Sequence, residues 1–243
     1  MVLATLGSSP FVGNKHGTGE PNVLALHGWG RSGSDFDRVL VGTNALALHL
    51  PGFGSAGAPP EAWSPGDYAE HLASALVGHC QVTLVGHSFG GRVAIRLAAR
   101  YPHLVQSLVL TGVPLIKRTP AKKAPVPFRL AKRARSLGIL SESRMDILRN
   151  RYGSADYRNA QGVMRGVLVA AIGEDYFADA AQIDVPVTMV WGEWDQPAPL
   201  AGAQKALEYF PHATLRVVPG AFHLLEGSLE QELAVALHDA LNA

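Results

Sequence analysis

Gln81-Val82-Thr83-Leu84-Val85-Gly86-His87-Ser88-Phe89-Gly90-Gly91-Arg92-Val93-Ala94-Ile95-Arg96-Leu97-Ala98-Ala99-Arg100 carries the reading of the whole chain. Residues 81–85 form a strand-like run, and residues 92–100 form a helix-like run. Between them Ser88 stands in a Gly-x-Ser-x-Gly pattern. A serine between glycines at a strand-to-helix turn is a nucleophile elbow. The turn is so sharp that side chains at the flanking positions would clash, so glycine is needed there. It lifts the Ser88 hydroxyl clear of the sheet edge. It also leaves the Phe89 N–H at a helix start, where an oxyanion can accept from it. The plainer reading is a serine that caps a helix. The flanking glycines, and the partners found further along, favour the elbow.

Working outward, apolar runs of strand length alternate with helix-length segments, which predicts an α/β chain with a largely parallel sheet. The expected strands are Val23–His27, Ala45–Leu48, Gln81–Val85, Leu104–Leu110, Val187–Trp191 and Ala213–Val218. The expected helices are Pro65–Gly78, Phe89–Tyr101, Pro199–Phe210 and Leu224–Asn242. The apolar continuity of the strands suits a sheet covered on both faces. Residues 113–183 break the rhythm with helical stretches and no convincing strand. They read as a helical lid insertion between a core of 1–112 and 184–243.

A serine that performs acyl transfer needs a base, an acid to orient that base, and donors for the oxyanion. Trp191-Gly192-Glu193-Trp194-Asp195-Gln196-Pro197 follows one strand, and Pro219-Gly220-Ala221-Phe222-His223 follows the last. Asp195 and His223 therefore fall at the same sheet edge as Ser88, where sites in open α/β sheets form. Glu193 competes with Asp195 for the role of acid. The plainer reading of Asp195 is a turn former beside Pro197.

With His27-Gly28-Trp29-Gly30, these motifs resemble the α/β-hydrolase superfamily in its lid-bearing form, over nearly the whole chain from Val23. The resemblance implies Ser88 as nucleophile, His223 as general base and acid, and Asp195 as the orienting carboxylate. It implies the backbone N–H groups of Trp29 and Phe89 as oxyanion donors. His27 would brace the oxyanion loop, and His87 would be structural and point away from the site. The plausible pocket lining is Trp29, Phe53, Phe89, Leu115, Ile116 and Phe128. The His-Gly-Trp-Gly loop and Leu50-Pro51-Gly52-Phe53-Gly54 are similar to small bacterial carboxylesterases, including the pimeloyl-acyl-carrier-protein methyl ester esterases. That group usually places Asp before Leu-Pro-Gly, where this chain has His49.

The implied function is hydrolysis of a carboxylic ester, with no cofactor and no metal. Ser88 argues against dehalogenases and epoxide hydrolases, which use an aspartate nucleophile. His87 argues against meta-cleavage C–C hydrolases, which tend to have Asn there. Arg92 keeps open a menaquinone-pathway lyase with an arginine-lined pocket. A non-catalytic ligand receptor is a further alternative. Of two Gly-x-Gly-x-x-Gly matches, the one at Gly28 has Ala47-Leu48-His49 where a dinucleotide site wants an acidic residue, and the one at Gly52 runs into Pro59-Pro60 instead of a helix.

Composition narrows the partners. Charged residues are 17% of the chain, below the usual ~25%, so it is not a disordered protein. The net charge of +1 gives no global case for nucleic acid. The lone cysteine, Cys80, excludes an internal disulfide and reads as a small core residue. No signal-peptide layout and no apolar run of ~18 residues occurs, so a cytoplasmic protein without a membrane partner is expected. No Asp or Glu lies between Glu70 and Glu142. That stretch holds Lys117, Arg118, Lys122, Lys123, Arg129, Lys132, Arg133 and Arg135. Such a run is usually a solvated surface. The sharper reading is a docking face for an acidic partner, such as a carrier protein that presents the ester.

Overall fold

An eight-stranded sheet organises the chain in the computed structural model, which describes residues 2–7, 9–116, 130–131, 133–135, 137–141, 144–145, 147 and 155–243. Phe128 and the cations Lys117, Arg118, Lys122, Lys123, Arg129 and Lys132 lie outside the described residues. The strands are β1 (Val2–Thr5), β2 (Val12–His16), β3 (Val23–Leu26), β4 (Ala45–His49), β5 (Val82–His87), β6 (Val105–Thr111), β7 (Val187–Gly192) and β8 (Ala213–Val218). Their spatial order is β1-β2-β4-β3-β5-β6-β7-β8. The pairs β1–β2 and β2–β4 are antiparallel, and every pairing from β4 to β8 is parallel.

The helices are α1 (Pro65–Ala75), α2 (Phe89–Arg100), α3 (Ala155–Asn159), α4 (Gly162–Ile172), α5 (Phe177–Ala180), α6 (Leu200–Ala206) and α7 (Gly227–Asn242). Strand side chains alternate between two cores, as the two-residue strand period requires. Leu24, Leu26, Leu46, Leu48 and Leu84 join the core that holds residues of α1 and α2. Val23, Ala25, Ala45, Ala47 and Val85 face the other, with Leu229, Leu233 and Leu237 of α7. Both faces are covered, which explains the unbroken apolar character of β3 and β5. Helix α1 opens on a capping box in which Ser64 and Asp67 satisfy each other's backbone N–H, with Pro65 following. Such a cap is worth ~1 kcal/mol.

All six expected strands are present. The one predicted from Leu104 starts at Val105, because Pro102–Leu104 closes a short 3-10 turn first. The β1–β2 hairpin was not expected. Its second strand reads Val-Gly-Asn-Lys-His, too polar to stand out, and it pairs at the edge. Cys80 is exposed rather than in the core, because it lies in the turn before β5. Helix α7 begins at Gly227 instead of Leu224, which leaves residues 219–226 as a loop.

Between β6 and β7 the described residues form α3, α4 and α5 and no strand. Helix α2 holds this segment down. The Arg92 guanidinium donates to the Ala171 carbonyl, and Arg96 pairs with Glu174 and Asp179. Among the described residues, no helix is long and apolar enough to cross a membrane.

Candidate active site

Loops from the C-terminal ends of β3, β5, β6, β7 and β8 meet at one sheet edge. The turn after β5 is the strained one. Ser88 has φ 50° and ψ −108°, the only positive φ at a non-glycine position among the described residues. Such a conformation costs ~1–3 kcal/mol and persists only where its surroundings impose it. They do so through close approach. A Cβ at Gly86 would come within 2.5 Å of the Gly91 Cα, and one at Gly90 within 2.1 Å of the Leu26 carbonyl oxygen. The Gly90 N–H donates to the His27 carbonyl at 2.9 Å and ties the elbow to β3.

Ser88, His223 and Asp195 form a hydrogen-bonded chain. Ser88 Oγ lies 3.2 Å from His223 Nε2, and His223 Nδ1 lies 2.8 Å from Asp195 Oδ2. The Asp195 side chain is 1% exposed. Its other oxygen accepts the Ala198 N–H at 2.7 Å, which fixes the carboxylate from both ends. Since the carboxylate only accepts, Nδ1 carries the proton and Nε2 is bare toward Ser88. Glu193, the competing acid, instead accepts the Gly220 N–H at 2.9 Å and braces the His223 loop.

Trp29 and Phe89 follow β3 and β5, and both line the cavity that holds Ser88. Neither backbone N–H has an acceptor among the described residues. The two rings meet edge to face at 5.5 Å, and Phe53 packs on both, at 4.9 Å from Trp29 and 5.9 Å from Phe89. His27 clamps the same loop. Its Nδ1–H donates to the Gly28 carbonyl at 2.7 Å, while Nε2 accepts the Leu50 N–H at 3.0 Å. His49, in the unexpected place, accepts the Gly33 N–H and donates to Asn14.

The Ser88 cavity has a volume of about 280 Å³. Of the predicted lining residues, Trp29 and Phe89 lie on it. Phe53 lines a separate cavity, and Leu115 and Ile116 line another. Much of the remaining wall comes from groups that sequence did not single out as lining, among them Pro114, Leu168, Ala171, Pro197 and Leu224. His87 lines the cavity as well, although it was expected to point away. Its Nε2–H donates to the His223 carbonyl at 2.9 Å, and its buried Nδ1 has no hydrogen-bond partner. Arg92 also reaches the cavity wall, one helical turn after Ser88. Among the described residues, no group of three or more His, Cys, Asp or Glu side chains is placed to hold a metal ion.

Burial pushes His27 down to about 4 and His87 down to about 3, so both rings are neutral in the folded protein. The unfolded chain then binds more protons than the folded one between those values and the ordinary ~6.5 of histidine. Stability should be complete above pH ~6.5 and should fall as pH drops through this window. The loss by pH 4.5 is of order 2–3 kcal/mol for each ring. Urea unfolding at pH 7 and pH 4.5 measures it, and an unchanged midpoint would contradict the burial of both rings.

The α/β hydrolase family model matches residues 23–236. The chain belongs to the α/β hydrolase family. This hydrolase is 29% identical over 241 residues to the pimeloyl-[acyl-carrier protein] methyl ester esterase of Chromobacterium violaceum, covering 91% of this chain and 94% of that protein. An esterase of Mycobacterium tuberculosis is 43% identical over 102 residues, 40% of this chain and 34% of that protein. Among solved structures, a bromoperoxidase from Bacillus anthracis superposes with a TM-score of 0.72 at 21% identity, covering 100% of this chain and 99% of that one. At that identity the likeness speaks for the hydrolase fold.

Proposed function

We propose that the protein is a serine esterase that cleaves carboxylic esters through an acyl-enzyme on Ser88. The observation that carries this is the hydrogen-bonded chain Ser88–His223–Asp195, set at a strained elbow. His223 Nε2 takes the Ser88 proton as Oγ attacks the ester carbonyl. The tetrahedral oxyanion accepts from the Trp29 and Phe89 amides, and Asp195 stabilises the imidazolium. His223 then gives its proton to the leaving alkoxide. Water, deprotonated by His223, attacks the acyl-enzyme, and Ser88 recovers its proton when the acid leaves. Esterases among the relatives support the ester as substrate.

On this reading residues 113–183 act as a lid over the cavity. An acidic carrier protein is the partner that the basic run from Lys117 to Arg135 would suit. The test is mass spectrometry of the protein quenched during turnover of a p-nitrophenyl ester. A mass increase of one acyl group on the Ser88 peptide is expected. Turnover with the acyl group on any other residue, or with none trapped under burst conditions, would overturn the mechanism.

A further inference from the structure

We infer that a second cavity, bounded by Leu115, Ile116, Ala198, Ala201, Gly202 and Lys205, binds an apolar chain of the ester that Ser88 attacks. This rests on the esterase reading and adds the substrate class to it. The second cavity has a volume of about 480 Å³ and shares Pro114 and Pro197 with the Ser88 cavity. The two are therefore neighbours across those two prolines. The Ser88 cavity alone, about 280 Å³, falls just below the ~300–1,000 Å³ usual for small-molecule sites. A substrate larger than a short acyl ester must extend beyond it.

The order of strands along the sheet edge gives the direction. Trp29 follows β3 and Ser88 follows β5. Pro114 follows β6 and Pro197 follows β7. An oxyanion held by Trp29 and Phe89 points toward β3, which leaves the β6–β7 side for a substituent of the reacting carbonyl. The chemistry of the walls agrees. Among the described residues the second cavity presents no carboxylate, amide or hydroxyl side chain. Its one cation, Lys205, lies with Nζ 5.9 Å from the centre of the Phe177 ring. Ile116 is 41% exposed there, so a chain laid on it removes further apolar surface from water. The cavity on the opposite side, reached past Trp29 and Asp156, has a mixed wall in which Asp156, Asn159 and Gln161 stand beside Phe53 and Met164, so it offers an apolar chain a less continuous surface.

Gly202 supplies the test. A Cβ there would meet only the Ile116 Cδ1, at 3.9 Å, so a side chain fits and projects toward the cavity wall. Its place in α6 favours a non-glycine residue. Two ester series are to be compared on wild type, Gly202→Ala and Gly202→Phe. One is p-nitrophenyl esters from acetate to decanoate, and the other is alkyl acetates from methyl to octyl. In wild type KM should fall about fourfold per added methylene over the middle members of one series, which identifies the chain as acyl or alkyl. Gly202→Phe should lower kcat/KM for the long members of that series at least tenfold. The shortest esters, which do not reach this cavity, should lose far less than the long ones, and Gly202→Ala, the smaller intrusion, should fold and show the same bias against long members to a lesser degree. An equal loss on short and long esters, or no loss on either, would overturn the inference. A wild type inactive on every ester would remove the esterase reading itself, before any variant is made.

Discussion

Replacing Ser88 with alanine should lower kcat by about 10⁴–10⁶-fold and leave the protein folded. The hydroxyl is the group of this turn held against a general base, its side-chain partner being His223 Nε2. Alanine tolerates the φ of 50° about as well as serine, so the elbow survives. The oxyanion amides and the cavity also survive, and they sustain the small remaining rate. The melting temperature should move little, as expected for loss of a half-buried hydroxyl with a single partner. The measurement is steady-state hydrolysis of a p-nitrophenyl ester, with thermal unfolding of both proteins alongside. A folded variant that keeps a tenth of the wild-type kcat would refute nucleophilic catalysis by Ser88.

Asp195→Asn should lower kcat by about 10³–10⁴-fold with little change in volume. The carboxylate accepts from His223 Nδ1–H and from the Ala198 N–H at once. An asparagine presents one acceptor and one donor to the same two donors. If its NH₂ faces His223, Nδ1 must become the acceptor, and the proton moves to Nε2, where it blocks attack by Ser88. If its NH₂ faces Ala198, the loop loses a buried bond worth ~1–3 kcal/mol. The companion variant Glu193→Gln keeps an acceptor for the Gly220 N–H and should stay within a few-fold of wild type. Comparing the two kcat values decides which of the neighbouring acids orients the base. The reverse ranking would assign that role to Glu193.

The parallel strands and the three converging loops were legible in the sequence for a physical reason. Buried strands read as unbroken apolar runs, and an elbow tolerates only glycine where Gly86 and Gly90 meet backbone. Composition and spacing alone did not separate Asp195 from Glu193, two carboxylates two residues apart, and only the family resemblance favoured Asp195. Geometry separates them, because Asp195 points inward to His223 while Glu193 turns to the Gly220 N–H in an exposed hydrogen bond. The β1–β2 edge was missed because Asn14, Lys15 and His16 give no apolar signal. The pocket lining was the least legible part. After Thr111 the chain passes Gly112 with φ 58°, and Leu115 and Ile116 end beside α6 instead of beside Ser88. Their place depends on how that turn packs, which residue type does not encode. The structural role expected of His87 holds, but its direction was not legible for a similar reason, since it is set by a carbonyl 136 residues away.

The Ser88–His223 contact joins residues 135 apart in the chain. Ser88 belongs to a local strand–turn–helix unit, but its partner arrives only with the last parallel strand. Turnover therefore reports on the completed molecule. During refolding, helical signal should recover before hydrolysis does, because long-range pairing is slow to form. An activity assay on this protein is thus also a clock for the docking of β8 onto β7.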